Sequence, residues 1–385
     1  MAEKGLKPGW QVWRFDQMAT NVNVRIDNPS ESGMEYYVGL EHLDSDSLKI
    51  RRWGTPDDVE ATKLMFKKGD IIFGRRRAYQ RKLGVAEFDG ICSAHAMVLR
   101  AKPEVVLPEF LPFFMQSDLF MNRAVEISVG SLSPTINWKT MAVQEFALPP
   151  IDEQVQLVDL LQAIEDTSEA HNKVGASADQ IVRSLLTDVL CSEWPVINLG
   201  SVVQETQYGL SINAGSEGRY PMLRMMNIED GLCVENDIKY VDLNDKDFEA
   251  YRLDNGDVLF NRTNSYELVG RTGVYELEGD HVFASYLVRI KTNLERLEPK
   301  FLTLYLNSDF GRRQVLAYAT KAVSQANVNA SNLLRVRLPL PPLEIQQQLL
   351  DVIASAKSAE RAAKVRRSYV EEMKKQLLAE ISGRH

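Results

Sequence analysis

The sequence predicts an α+β chain with an internal pseudo-twofold repeat. Two similar α/β domains are separated by two long helices that form an antiparallel coiled coil. Three observations predict this. Short motifs recur in the same order about 190 positions apart. A Leu-Pro-Pro triplet closes each repeated segment. After each triplet the pattern changes from strand-like to a long 4-3 spacing of small and apolar residues.

The repeat is carried by three collinear matches. Gly69–Arg75 reads GDIIFGR and Gly256–Arg262 reads GDVLFNR, an offset of 187. Phe110–Leu111 with Ser117–Asp118 matches Phe301–Leu302 with Ser308–Asp309, an offset of 191. Leu148–Pro149–Pro150–Ile151 matches Leu340–Pro341–Pro342–Leu343, an offset of 192. A slowly drifting offset is what insertions in loops produce. The order implies a first domain at 1–148, a first long helix at 149–192, a second domain at 193–340 and a second long helix at 341–385.

Within the domains, Asp70–Phe73 and Asp257–Phe260 read as short strands after Gly-Asp turns. Cys92–Leu99 and Val282–Ile290 read as buried strands. Phe110–Met121 and Lys300–Asp309 read as short amphipathic helices, and Gly39–Leu43 and Arg224–Ile228 occupy matching places. In the first long helix Leu157, Leu161, Ile164, Ser168, His171, Gly175, Ala178, Val182, Leu185 and Val189 make the seam. In the second the seam is Ile345, Leu349, Val352, Ala356, Ala359, Ala363, Arg366, Val370, Met373 and Leu377. The small middle of each seam permits close approach, and a mid-helix Gly175 implies a packing reason. Each helix covers about 35 residues, roughly 50 Å at 1.5 Å per residue. Two ordinary amphipathic helices, each packed on its own domain, are the plainer alternative.

Composition bounds the function. With 385 residues, 44% hydrophobic and 25% charged, the chain is globular and long enough for two cores. It has no long apolar run, no signal-peptide pattern at its start, and three widely spaced cysteines, which together fit a reducing cytoplasm. The net charge of −8 argues against a uniformly basic surface. Basic residues cluster locally instead. Eight lie between Lys63 and Lys82 against one acid, and five lie between Phe310 and Leu343 against none. The loops that follow the two GD strands are RRRAYQRK at Arg75–Lys82 and RTNSYELVGR at Arg262–Arg271. Arg pairs bidentately with guanine and Asn with adenine, while Lys and further Arg hold phosphates. A basic loop is otherwise a solvated face.

Chemistry of its own is not signalled. The chain lacks GxGxxG and GxxxxGK[ST]. It also lacks an Asn-Pro-Pro or Asp-Pro-Pro with a following aromatic. Pro56–Asp57 has no Glu-x-Lys at nuclease spacing, since Glu372–Met373–Lys374 is distant. His42, His95, His171, His281 and His385 do not cluster, and Cys92 with His95 is a weak metal motif. No metal site is expected.

The duplicated order, the two GD strands and the entrance Pro149–Pro150–Ile151–Asp152–Glu153–Gln154 together resemble the specificity (S) subunit of type I restriction–modification systems. The second entrance departs from the pattern, because in Pro341–Pro342–Leu343–Glu344–Ile345–Gln346 the Glu stands one place early. The resemblance implies a non-catalytic subunit. Each domain would be a target-recognition domain reading one half of a bipartite asymmetric duplex DNA site. The helices would set the spacing and dock two methyltransferase (M) subunits, with restriction/translocase (R) subunits in the larger complex. S-adenosylmethionine would belong to the M subunit, ATP and Mg to the R subunit, and no cofactor to this chain. Candidate DNA contacts are Arg75, Arg76, Arg77, Tyr79, Arg81, Lys82, Arg224, Arg262, Asn264, Tyr266 and Arg271. Candidate partner contacts are Glu153, Gln154, Leu157, Leu161, Glu344, Gln346 and Leu349. The competing reading is a coiled-coil scaffold that joins two proteins without sequence-specific DNA binding.

Overall fold

The computed structural model describes residues 6–321 and 325–381, so His385 and the last four positions of the range 341–385 lie outside the described residues. One compact unit comprises Met1–Val174 with Ala362–His385, the other Gly175–Arg361. The main sheet of the first unit runs Ala19–Val22, Ala96–Ala101, Ile71–Gly74, Leu83–Val85, antiparallel throughout. The second unit repeats that order with Val203–Tyr208, Leu287–Thr292, Val258–Asn261 and Thr272–Val274, then adds Leu232–Cys233 and Ile228–Glu229. Beside each main sheet is a small one containing a parallel pair, Tyr37–Val38 with Gly90–Ser93 and Tyr220–Leu223 with Val282–Phe283. Gly39–Leu43 and Arg224–Ile228 follow these strands and so do occupy matching places.

The recurring motifs are retained for local physical reasons. Gly69 and Gly256 have φ of 89° and 90°, where a Cβ would be strained. The next residue closes the turn: the Asp70 carboxylate accepts from the Lys67 amide at 2.8 Å, and Asp257 accepts from Asp254 at 2.9 Å. Both carboxylates are buried, and both have cations nearby. Arg100 grips Asp70 at 2.7 and 2.9 Å, while Arg289 and Lys291 stand 3.7 and 4.0 Å from Asp257. Burial pushes the Asp257 carboxyl above its ordinary range.

The Ser-Asp pair is a helix break. Phe110–Gln116 and Asp118–Glu126 are separate helices, as are Pro299–Asn307 and Asp309–Ala317. Ser117 accepts from the Phe120 amide at 3.4 Å, and Ser308 from the Gly311 amide at 3.2 Å. Each is the N-cap of the second helix, with Asp in its first turn. The single helix expected at Phe110–Met121 is therefore a pair, whereas the one expected at Lys300–Asp309 is the helix Pro299–Asn307, which stops at Ser308. The strands expected at Cys92–Leu99 and Val282–Ile290 are also split, into Gly90–Ser93 and Ala96–Ala101, and into Val282–Phe283 and Leu287–Thr292. The two pieces of each run belong to different sheets. Both pieces are buried, so the apolar run gives no sign of the turn inside it.

The long helices are Ile151–Cys191, 41 residues, and Leu343–Glu380, 38 residues. No helix among the described residues is long and apolar enough to cross a membrane. In the first unit Lys374 pairs with Glu165, and Arg367 bonds Asn172 at 2.8 Å, so the two segments run antiparallel. In the second unit Leu190 of one helix shares a core with Leu349 and Ile353 of the other. The seam read for Ile151–Cys191 is turned inward throughout. The seam of Leu343–Glu380 differs at alternate positions. Gln346, Ile353, Glu360 and Lys374 are inward, whereas Val352, Ala359, Arg366 and Met373 are exposed. Spacing of apolar residues misplaced these positions because polar side chains occupy the true seam.

Five expected partner contacts are corrected: four are buried and one, Leu157, is half-buried. Leu161 lies in the core of the first unit and Leu349 in that of the second, and Leu157 packs half-buried on the first core. Gln154 and Gln346 are wholly buried clamps. The Gln154 amide accepts from Leu107 N at 2.9 Å and donates to Val105 O at 3.3 Å and Pro149 O at 2.9 Å. The Gln346 amide accepts from Glu298 N at 2.9 Å and donates to Arg296 O at 2.9 Å and Pro341 O at 2.8 Å. The four buried groups, Leu161, Leu349, Gln154 and Gln346, cannot reach a partner. Glu153 accepts from the Trp10 indole at 3.2 Å, and Glu344 is exposed.

Gln346→Ala leaves two carbonyls and one amide without partners and is expected to destabilise the protein by about 3 kcal/mol, read from the denaturation midpoint. Gly175 has no steric reason to be glycine, because a Cβ there would lie 4.0 Å from Glu360 Cγ. Gly175→Ala is therefore expected to stabilise by about 1 kcal/mol in the same measurement.

Candidate nucleic-acid interface

The loop after the GD strand begins with a structural arginine in both units. Arg75 donates to Ala94 O at 3.0 Å, and Arg262 to Ser285 O at 3.4 Å. Those carbonyls sit in the turns that split the two buried runs. Arg262 also stacks over Tyr208 at 4.9 Å. The last residue of GDIIFGR and GDVLFNR thus bolts the loop to the neighbouring turn. Further along, Arg81 is held by Asp46 at 2.5 Å, Asp118 at 2.9 Å and Gln116 O at 2.6 Å. Lys82 donates to Leu40 O at 2.7 Å. Four of the expected contacts, Arg75, Arg81, Lys82 and Arg262, are therefore engaged within the fold.

Arg77 and Tyr79 are exposed, and Arg76 is half-buried. Arg77 and Arg81 flank the turn Ala78–Gln80 with φ of 58° and 52°, a left-handed pair that side-chain and backbone bonds hold in place. The Arg77 amide donates to Pro134 O at 2.7 Å. The hydroxyl of Ser133 accepts from Arg76 Nη2 at 3.2 Å and from Arg77 Nη2 at 3.1 Å. Arg76 Nη1 lies 3.3 Å from His95 Nε2. Partial burial, then the charges of Arg76 and Arg75, hold His95 below its ordinary pKa, so its neutral ring can accept that bond.

These contacts reveal a second segment that the sequence reading missed. Val129 and Thr135 exchange backbone bonds at 3.1 and 3.0 Å, closing a hairpin against the arginine loop. In the second unit Thr320–Lys321, Ala326–Asn327 and Thr263–Asn264 form the equivalent small sheet. The Ile136 amide donates to Arg75 O at 3.0 Å and the Val328 amide to Arg262 O at 2.9 Å, at matching positions. The available signal was a pair of capping asparagines, Asn137 and Asn329, 192 positions apart.

The second unit presents different chemistry on the same frame. Arg224 is tied to Asp237, its Nη2 lying 3.0 Å from the carboxylate, and Asn264 lies 3.4 Å from Met225 Sδ. Tyr266 is exposed, and its carbonyl accepts from Arg312 at 3.1 Å. Arg271 is exposed. Met225, Met226 and Tyr286 are exposed as well. The first face is cationic and the second rich in aromatic and thioether groups. Elsewhere, Cys92 is buried with its thiol pushed up by desolvation, while His95 turns to Arg76, so the two share no site. Among the described residues no group of three or more His, Cys, Asp or Glu could hold a metal.

The family described as type I restriction modification DNA specificity domain matches residues 53–177 and 192–359. A relative from Methanocaldococcus jannaschii, assigned by name to the type I specificity subunits, is 31% identical over 166 residues; these are 42% of this chain and 39% of the relative. The EcoKI type I restriction enzyme specificity subunit of Escherichia coli is 21% identical over 384 residues, 91% of this chain and 82% of that one. The solved S subunit of a type I restriction-modification system from M. genitalium has the same fold. Its TM-score is 0.62 at 12% identity, over 99% of this chain and 98% of that one.

Removing the bolt should damage the fold first. Arg75→Ala and Arg262→Ala are each expected to destabilise by roughly 1–3 kcal/mol, seen as a lowered thermal midpoint. Arg77→Ala, at the surface, is expected to move it by less than about 0.5 kcal/mol.

Proposed function

Because the chain belongs to the type I restriction modification DNA specificity family, we propose that it is the sequence-reading subunit of a restriction–modification complex. Its two units read the two halves of a bipartite, asymmetric duplex DNA site. It carries no catalysis of its own and works in the cytoplasm. Two methyltransferase subunits bring S-adenosylmethionine, and restriction/translocase subunits bring ATP and Mg. One observation carries the reading: two equivalent loop-and-hairpin frames, held by the same backbone and arginine contacts, expose different side chains. A duplicated frame with divergent exposed groups suits two different half-sites.

In the first unit Arg76, Arg77 and Tyr79 are the candidate contacts. Arg77 and Arg76 reach phosphates or guanine edges. In the second, Asn264, Tyr266 and Arg271 serve, with Met226 and Tyr286 added from the structure. Arg224 is tied to Asp237 and takes a supporting place. The partner surface moves to the outward sides of the helices. In the first unit it centres on Leu160 and Met373, both exposed on the rim of one groove, with Glu153 near the start of the helix. In the second unit Glu344 and the exposed Val352 are its members.

The test begins with the methylated bases of the host genome, which give the site. Arg76→Ala with Arg77→Ala should weaken binding of the assembled complex to that site. The slope of log affinity against log salt should fall by about 1.8, as two phosphate contacts are lost. Methyltransferase assembly should be unchanged. Binding at wild-type affinity and slope would remove these arginines from the interface. No retardation of any duplex at low salt would favour the scaffold reading.

A further inference from the structure

Leu132 stands at the tip of the first unit's hairpin, 90% exposed, and Val129 at its edge is 79% exposed. Single exposed apolar residues are ordinary on protein surfaces. Here the setting is not ordinary. The hairpin is closed by two backbone bonds, and its root is fixed by the Arg77 amide on Pro134 O at 2.7 Å. Two guanidinium groups lean on Ser133, the residue next to Leu132, at 3.1–3.3 Å. The remaining tip residues are small: Gly130, with φ of 120°, and Ser131. A narrow, anchored loop therefore holds a large apolar side chain in solvent at its tip, one residue from the serine on which two cations lean.

We propose that Leu132 is an apolar wedge that enters between stacked bases of duplex DNA while Arg76 and Arg77 hold the flanking phosphates. The proposal rests on the DNA-reading function above and deepens it. A polyanion drawn to the two guanidinium groups meets Leu132 in the same encounter. Leucine is among the side chains that unstack a base step, and burial of its surface offsets part of the cost of unstacking. The bent step then lies where the first unit can read its neighbours, and steps that deform easily are preferred.

The experiment uses the complex assembled with its methyltransferase partners. The probe is a duplex bearing the mapped site, with 2-aminopurine replacing one base at a time. The wild type should raise fluorescence at a step separate from the methylated base, whose own signal would report base flipping. Leu132→Ala should abolish that rise and weaken binding about tenfold, with the salt slope and thermal midpoint unchanged. Leu132→Met should keep both the rise and the affinity. Wild-type fluorescence and affinity in Leu132→Ala would overturn the wedge alone, as would weaker binding with the rise intact. A wild-type complex that binds no duplex would overturn the wedge and the reading together.

Discussion

Each half of the chain hangs on one buried primary amide. Gln154 and Gln346 use their carbonyl oxygen and both N–H groups on backbone of the Pro-Pro entrance and of the loop before the first core helix. Proline supplies no amide hydrogen, so the carbonyls of Pro149 and Pro341 take their bonds from the glutamine side chains. An unpaired buried amide or carbonyl would cost more than the bond returns. The clamp therefore fixes where each long helix begins and ties that point to the core of its own unit. Seam packing, and any use of the helices as a partner surface, follow from that start.

The same logic sorts the arginines. Guanidinium groups that find carbonyls and carboxylates within the fold shape the loops, as Arg75, Arg81 and Arg262 do. Those that lean on a serine hydroxyl, as Arg76 and Arg77 do, keep donors for another partner. A loop with five charges is thus partly framework and partly surface, and its net charge overstates what a ligand would meet. This is also how a chain of net charge −8 can present a cationic face.

The repeat has preserved mechanics rather than surface. Gly69 and Gly256, Asp70 and Asp257, Ser117 and Ser308, Arg75 and Arg262, Gln154 and Gln346 each perform one backbone task twice. The outward positions have drifted to Arg76 and Arg77 in one unit and to Asn264, Met226 and Tyr286 in the other. The early Glu of the second entrance has little consequence for the clamp, because both glutamines stand four places after the second proline.

Much of this was legible in the residues themselves. The duplication, the matching strands after Gly-Asp, the helix entrances and the seam of Ile151–Cys191 depend on local periodicity and on backbone preferences that each residue carries with it. The rest was decided by contacts between distant segments. Whether an arginine faces solvent or a carbonyl 19 positions away, as Arg75 does, is not encoded in its neighbours. The break inside a buried apolar run is silent because both sides are apolar. The seam of Leu343–Glu380 passes through Gln346 and Lys374, whose polar groups find partners only once the chain has folded, and through Glu360. The hairpin Val129–Thr135 has no strand-like pattern of its own and exists because the arginine loop holds it. Sequence determined which elements form, since that rests on local energetics; tertiary structure decided which side chains are left over for function.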